Sequence, residues 1–259
     1  MPEQLVIPDL RGKRCLVTGA SSGIGAAVAR ALGAQGAQVV VHGHSSLDEA
    51  EAVADAIRAA GGTAFVLAAD LGQRGTAAPL VAEAAARMGG LDLLVNNAGN
   101  VLERRPLATM PDDFFDAVMD LNLRSVFEAS RAAIPHLRAA GGGAIVSTTS
   151  ISARHGGGVG VGAYATAKAG VSNLTRALAK ELAPDRIRVN AVSPGIILTR
   201  IHAQSTPPEM MRQFVAAIPM GRAGTVEDCA GTYLFLASDS LSGYVTGQVI
   251  EVNGGQLMP

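Results

Sequence analysis

The chain has 259 residues, 48% of them hydrophobic and 17% charged, which suits one α/β domain with a large core. Its 21 basic and 22 acidic residues leave a formal net charge of -1 with no basic run, excluding a surface built for nucleic acid or anionic membrane. The first ten residues carry two prolines and no apolar core, and no stretch approaches the ~18 uninterrupted apolar residues of a membrane span, so a cytoplasmic protein is expected.

Cys15-Leu16-Val17 predicts a short strand that leads into Thr18-Gly19-Ala20-Ser21-Ser22-Gly23-Ile24-Gly25, after which Val28, Ala31 and Leu32 recur at helical spacing. Glycines between a strand and a helix let backbone approach a pyrophosphate, while the helix N-terminus offers N–H groups and a positive dipole end. Gly19, Ser21, Ser22, Gly23, Ile24 and Gly25 are the candidate cradle. The spacing is GxxxGxG, and a plain βα loop also favours glycine and serine, so this turn alone leaves dinucleotide binding open. Cys15 and Cys229 both lie in apolar runs without CxxC spacing and read as buried thiols of a reducing compartment.

Val39-Val40-Val41 predicts the second strand, and Leu47 to Ala60 a helix closed by Gly61-Gly62. About 20 residues after the first glycine an NAD-selective site carries an acid on the adenosine ribose. Here that place holds His42-Gly43-His44-Ser45-Ser46. With no carboxylate to repel a 2'-phosphate, and with His44 and Ser45 to donate, NADP is favoured over NAD. Asp48 and Glu49 suit the first turn of the next helix, and two histidines without a third ligand make no metal site.

Thr63 to Leu67 predicts the third strand, with Asp70 and Leu71 beyond it; Asp70 serves either an adenine amino group or a local turn. Leu91-Asp92-Leu93-Leu94-Val95 predicts the fourth strand and ends in Asn96-Asn97-Ala98-Gly99, where Asn97, Ala98 and Gly99 would border the ligand crevice. Phe114 to His136 is helix-like and holds Leu121-Asn122-Leu123, a polar amide in apolar surroundings that needs a partner or a task. Ala144-Ile145-Val146 predicts the fifth strand, delivering Ser147-Thr148-Thr149-Ser150 to the same crevice.

Tyr164-Ala165-Thr166-Ala167-Lys168 opens an apolar helical pattern that runs to Pro184. On a helix, i and i+4 share a face, so phenol and ammonium would flank a buried stripe of Val171, Leu174, Leu178 and Leu182. A free tyrosine titrates near pH ~10; a close cation in a poorly hydrated site is expected to lower that by roughly 2 to 3 units, about 3 to 4 kcal/mol. An isolated YxxxK is usually a half-buried tyrosine and a surface lysine, and the upstream partners decide otherwise here.

Ile187, Val189 and Ala191 alternate with Arg186, Arg188 and Asn190 in a sixth strand leading to Ser193-Pro194-Gly195, Ile197 and Thr199. The segment from about 198 to 221, rich in methionine and proline, is the expected substrate lid. A helix from Val226 to Ala237 and a strand from Gln248 to Val252 complete the alternation. The whole predicts a single α/β domain over 1–259, a doubly wound parallel sheet with right-handed crossovers.

Together, TGxxxGIG at Thr18 to Gly25, NNAG at Asn96 to Gly99, Asn122, Ser150, YxxxK at Tyr164 to Lys168 and PGxxxT at Pro194 to Thr199 resemble the short-chain dehydrogenase/reductases over nearly the whole chain. The resemblance implies a Rossmann fold binding NAD(P), a small-molecule carbonyl or alcohol substrate, and a homotetramer built on the helices around 112–138 and 164–182 and the last strand. It implies Tyr164 as general acid/base, Ser150 on the substrate oxygen, Lys168 on the nicotinamide ribose, and Asn122 anchoring a water in a proton relay. Physical reasoning agrees: the cofactor supplies hydride chemistry, and the protein must exchange a proton with an oxygen where charge develops. Ser150 lies one residue further from Tyr164 than is common in the family, leaving Thr149 as a competing donor. Ser22 stands where many NADP-preferring members carry a basic residue.

Thr246-Gly247-Gln248 to Val252-Asn253-Gly254-Gly255 is similar to the ending of 3-oxoacyl-(acyl-carrier-protein) reductases, and also of sugar and sugar-acid dehydrogenases. Arg104 and Arg105 fall in a segment that could border the pocket. Ser150, His155, Arg200 and His202 are the candidate substrate contacts, with one of the last three holding a carboxylate or hydroxyls. The alternative of another class is a non-catalytic NAD(P) sensor, which has no need of the tyrosine, lysine, serine and asparagine together.

Overall fold

The computed structural model describes residues 6–199 and 208–258, with backbone alone at 208 and 210. Alternation along the strands builds two apolar layers. Cys15, Val17, Val39, Val41 and Val95 face one way; Leu16, Val40, Leu94 and Ile145 face the other. With both faces covered, the strands read as continuous apolar runs, as parallel sheets do. Each fully buried aliphatic side chain contributes about 1.5–3 kcal/mol.

Seven strands form one sheet: β1 Arg14–Val17, β2 Gln38–Gly43, β3 Thr63–Ala68, β4 Leu93–Asn96, β5 Gly143–Thr148, β6 Ile187–Pro194 and β7 Val249–Val252. Their order is β3-β2-β1-β4-β5-β6-β7, and every pair is parallel. On the first face lie α1 Gly23–Ala34, α2 Leu47–Ala59 and, after the short α6 Ser152–His155 and α8 Pro208–Ala216, the helix α9 Val226–Ala237. On the second lie α3 Ala77–Met88, α5 Ser125–Ala139 and α7 Gly162–Leu182. α4 Asp112–Met119 precedes α5, and α10 Asp239–Ser242 follows α9. Strand order reverses between β1 and β4, which opens a crevice at their carboxyl ends. No helix among the described residues is long and apolar enough to cross a membrane.

Several sequence expectations are corrected. The helix expected over 114–136 is interrupted at Asp120–Arg124 by one π-helical turn, which carries Asn122; such turns cluster at functional sites. β6 does not alternate between core and solvent, because all eight residues are buried. Arg188 is accommodated by Asp239, the Leu236 carbonyl and Ser242, and Asn190 by Val245 and Gln248 backbone. On α7 the buried residues are Ala163, Ala165, Ala167, Lys168, Val171, Thr175, Ala179 and Leu182, with Leu174 and Leu178 half-buried beside them. Small residues let α7 lie closer to the sheet than a leucine stripe would.

Candidate active site

The turn between β1 and α1 is shaped by two glycines. Gly19 has φ +61, and a Cβ there would lie 2.8 Å from the Ala98 Cα. Gly25 admits no side chain, since a Cβ would meet the Gly19 carbonyl oxygen at 2.3 Å. Ser22 caps α1 in extended conformation without a side-chain cap bond, and no acid sits in the first turn. Among the described residues the first-turn amides therefore meet no side-chain acceptor, as an anion site requires. The turn is fastened to its neighbours. Asn97 Nδ2 donates to the carbonyls of Thr18 and Gly19, each at 3.0 Å, and Thr18 Oγ1 accepts from the amides of Asn97 and Ala98. His42 Nδ1 accepts from the Gly19 amide at 3.1 Å.

The turn forms one side of a cavity of about 780 Å³ along the carboxyl ends of the strands. Across it stand Ser150, Tyr164 and Lys168. α7 places Tyr164 and Lys168 one turn apart, with Lys168 Nζ 5.7 Å from the Tyr164 ring centroid. Lys168 is 2% exposed, donates to the Thr148 carbonyl at 2.8 Å, and is lowered by burial to about 8. Tyr164 departs from the sequence expectation. Burial pushes its hydroxyl up to about 12, and the hydrogen bond with Ser150 only partly offsets this. In this state the ammonium is aimed at a backbone carbonyl, so the tyrosine stays protonated.

Asn122 is fully buried behind this pair. Its Oδ1 accepts from the Asn100 amide at 3.0 Å, and its Nδ2 donates to the carbonyls of Asn100 and Val118. A Cβ on Gly99 would lie 2.7 Å from that Oδ1 and 3.0 Å from Lys168 Nζ. The asparagine thus pins the segment 99–100 against the lysine.

A family profile described as enoyl-(acyl carrier protein) reductase matches residues 19–256. An uncharacterised short-chain type dehydrogenase/reductase of Sinorhizobium fredii is 40% identical over 255 residues, covering 96% of this chain and 99% of the relative. The chain belongs to the short-chain dehydrogenase/reductases. The 3-oxoacyl-(acyl-carrier-protein) reductase FabG of Staphylococcus aureus is 39% identical over 246 residues, 95% of this chain and 98% of FabG. The crystal structure of NADH-dependent reductase A1-R', responsible for alginate metabolism, is 42% identical with a TM-score of 0.89, covering 97% of this chain and 100% of that one. As a short-chain dehydrogenase/reductase the protein is an oxidoreductase that acts on a CH–OH group with a nicotinamide cofactor.

The cavity wall of this short-chain dehydrogenase/reductase includes Gly19, Ser21, Ser22, Gly23, Ile24, His44, Ser45, Asp70, Leu71, Asn97, Ala98, Gly99, Pro194, Gly195, Ile197 and Thr199, together with His155. Gly25 and Asn122 lie behind the wall, where they pack and pin rather than line it. Arg200 and His202 lie outside the described residues, as does the 200–207 part of the expected lid; of the rest of that segment, Phe214 on α8 reaches the cavity. Asp70 serves the turn, accepting from the Gly72 amide at 2.9 Å, and also stands 3.8 Å from His44 Nε2. The four hydroxyls after β5 do not act alike, because the strand continues to Thr148. Ser147 accepts from Asn96, Thr148 pairs with the Tyr233 hydroxyl, and Thr149 donates to the Lys168 carbonyl. Ser150 is the one bonded to Tyr164. Sequence reasoning missed Gln256 on the wall, which sits in no periodic pattern or motif that marks it; for His42, with no third ligand nearby, a structural or cofactor-lining role is the expectation, and its tie to the Gly19 amide agrees with it.

Proposed function

We propose that this enzyme interconverts a carbonyl and its secondary alcohol at Ser150, Tyr164 and Lys168, as a cytoplasmic homotetramer. The observation that carries the reading is that a buried lysine and a serine-bonded tyrosine stand on the wall of the same cavity as a glycine turn free of side-chain caps. The Gly19–Gly25 turn would hold the pyrophosphate of a nicotinamide cofactor, which when bound would supply or take up the hydride. Tyr164 gives its proton to the substrate oxygen in reduction and takes it back in oxidation. Ser150 donates to the same oxygen as charge develops on it. Lys168, buried close to the ring, favours the phenolate while the proton is away. Asn122 anchors the proton relay next to Lys168.

NADP remains the favoured cofactor, because the wall at His44 and Ser45 carries no acid other than Asp70, which bonds its own turn. Phe214 on the wall supports the 198–221 segment as a lid. Exposed Phe115 and Phe127 on α4 and α5 support the tetramer, which light scattering tests. A 3-oxoacyl thioester is the first substrate reading, supported by the identity with FabG. A sugar or hydroxy acid is the second, favoured by polar Arg104, His155 and Gln256 on the wall.

The deciding experiment follows reduced-nicotinamide absorbance with NADPH and NADH against 3-oxoacyl thioesters and simple ketones, and in reverse against sugars and hydroxy acids. Turnover by the wild type, lowered about 10²- to 10⁴-fold in Tyr164→Phe with cofactor binding retained, is expected. An active Phe variant refutes the assigned proton donor.

A further inference from the structure

At the substrate side of the cavity, the charged groups on the described wall are Glu103, Arg104 and Lys168. Two of them are engaged. Lys168 donates to the Thr148 carbonyl beside Tyr164, and Glu103 accepts from Arg105 Nε and Nη2 at 3.1 and 2.8 Å. Arg104 is not. Its guanidinium gives a single 3.4 Å bond to the Val159 carbonyl and meets no carboxylate among the described residues. A guanidinium carries five N–H donors in a planar fork that matches a carboxylate.

The segment that carries Arg104 is held in place. Leu102 has φ +62, a conformation that non-glycine residues rarely adopt. Its amide is bonded to Asn100 Oδ1 at 2.9 Å, and the Arg105 amide to the Gly160 carbonyl at 2.9 Å. Asn100 is in turn fixed on both its amide and carbonyl by Asn122. Arg104 therefore stands on backbone tied to the reacting centre. A second observation lies on the same wall. Gln256 Oε1 is buried and has no hydrogen-bond partner among the described residues. A buried acceptor left unpaired is destabilising unless a donor arrives.

We propose that the substrate is a hydroxylated carboxylic acid, whose carboxylate is taken by Arg104 and one of whose hydroxyls is donated to Gln256, while its carbonyl or secondary alcohol meets Ser150 and Tyr164. The assignment rests on the oxidoreductase reading above and selects among its substrates. An acyl chain in the same place would leave the guanidinium beside apolar carbon and the amide oxygen still unpaired.

The test compares oxidation of threonate and gluconate with that of their neutral counterparts, threitol and sorbitol, using NADP⁺ and NAD⁺, in the wild type, Arg104→Leu, Arg104→Lys and Gln256→Leu. Arg104 is exposed, so its variants should fold. The wild type is expected to favour the acids by about 10- to 100-fold in kcat/KM, the scale of a charge-assisted bidentate bond. Arg104→Leu should erase that preference through KM, costing the acids far more than the polyols, and be partly rescued by lysine. Calorimetry of gluconate binding to Tyr164→Phe loaded with NADP⁺, with and without Arg104→Leu, should show the same loss without turnover. Equal handling of acids and polyols overturns the proposal, as does an Arg104→Leu effect that falls on both alike, or thioester turnover with no acid turnover. Failure of every alcohol, acid and thioester with both cofactors overturns the oxidoreductase reading itself.

Discussion

Lys168 is where charge and burial conflict most directly. Burial lowers its ammonium from 10.5 to about 8, so below pH 8 the fold carries a dehydrated cation whose hydrogen bond among the described residues is to the Thr148 carbonyl. Such a group serves the reaction and opposes the fold. Because the folded value is depressed, the unfolded chain binds the proton more tightly, and wild-type stability rises with pH between about 8 and 10.5. Lys168→Met should therefore unfold at a higher temperature at pH 7, by an equivalent of about 1–3 kcal/mol, while losing turnover. Its advantage should shrink as pH rises through that window. Thermal melts of both proteins at pH 7 and pH 10 check this, and a variant less stable than wild type at pH 7 would mean that the bond to Thr148 outweighs the desolvation.

At the level of elements, the site depends on how the carboxyl ends of β1, β2 and β3 are joined. His42 does this with both ring nitrogens: Nδ1 accepts from the Gly19 amide, and Nε2, carrying the proton, donates to the Ala69 carbonyl at 3.1 Å. Burial lowers its pKa below the ordinary 6.5, against the bond to Ala69, and the nearby His44 adds to the lowering. Protonation would set an N–H against the Gly19 amide. With the folded value depressed, stability is full above 6.5 and falls as pH drops toward the folded value; His44 and Asp70 are the titratable groups nearby. Cofactor affinity and melting temperature should therefore decline together below about pH 6.5. His42→Asn, which keeps one donor and one acceptor, should flatten that decline; an unchanged acid limb in the variant would place the titration elsewhere. This tie also shows what the sequence makes legible. α9 runs from Val226 to Ala237 as expected, because the Thr225–Asp228 capping box that starts it is local. The π-helical turn at Asn122 and the separate fates of Thr148, Thr149 and Ser150 depend on partners far along the chain. The motifs place Tyr164, Lys168 and Ser150 in one crevice, but the cofactor-free proton balance of that crevice follows from burial, which spacing does not report.

On the scale of the whole molecule, two apolar layers hold the sheet, and one polar contact joins the two ends of the chain. Asp9, just before β1, accepts from Ser238 Oγ and Ser240 Oγ at 2.8 Å each, and from the amides of Asp239 and Ser240 at 2.8 and 3.1 Å. Ser238 ends α9 and starts α10, so the carboxylate caps a helix supplied by residues more than two hundred positions away. Burial alone would raise the Asp9 pKa, but the bonds from Ser240, Ser238 and the two amides hold it down at about 2. Since the folded value is depressed, this contact is fully present above the ordinary value of 3.8 and is lost as pH falls toward 2. Asp9→Asn should lower stability at pH 7 by about 1–2 kcal/mol, seen as a lower urea midpoint with unchanged slope. Near pH 2 the two proteins should converge. Asp9 lies off the cavity wall, so kcat and KM at 25 °C should match the wild type. A midpoint difference that persists undiminished in acid would show that packing around Asp9, rather than its charge, joins the ends of the chain.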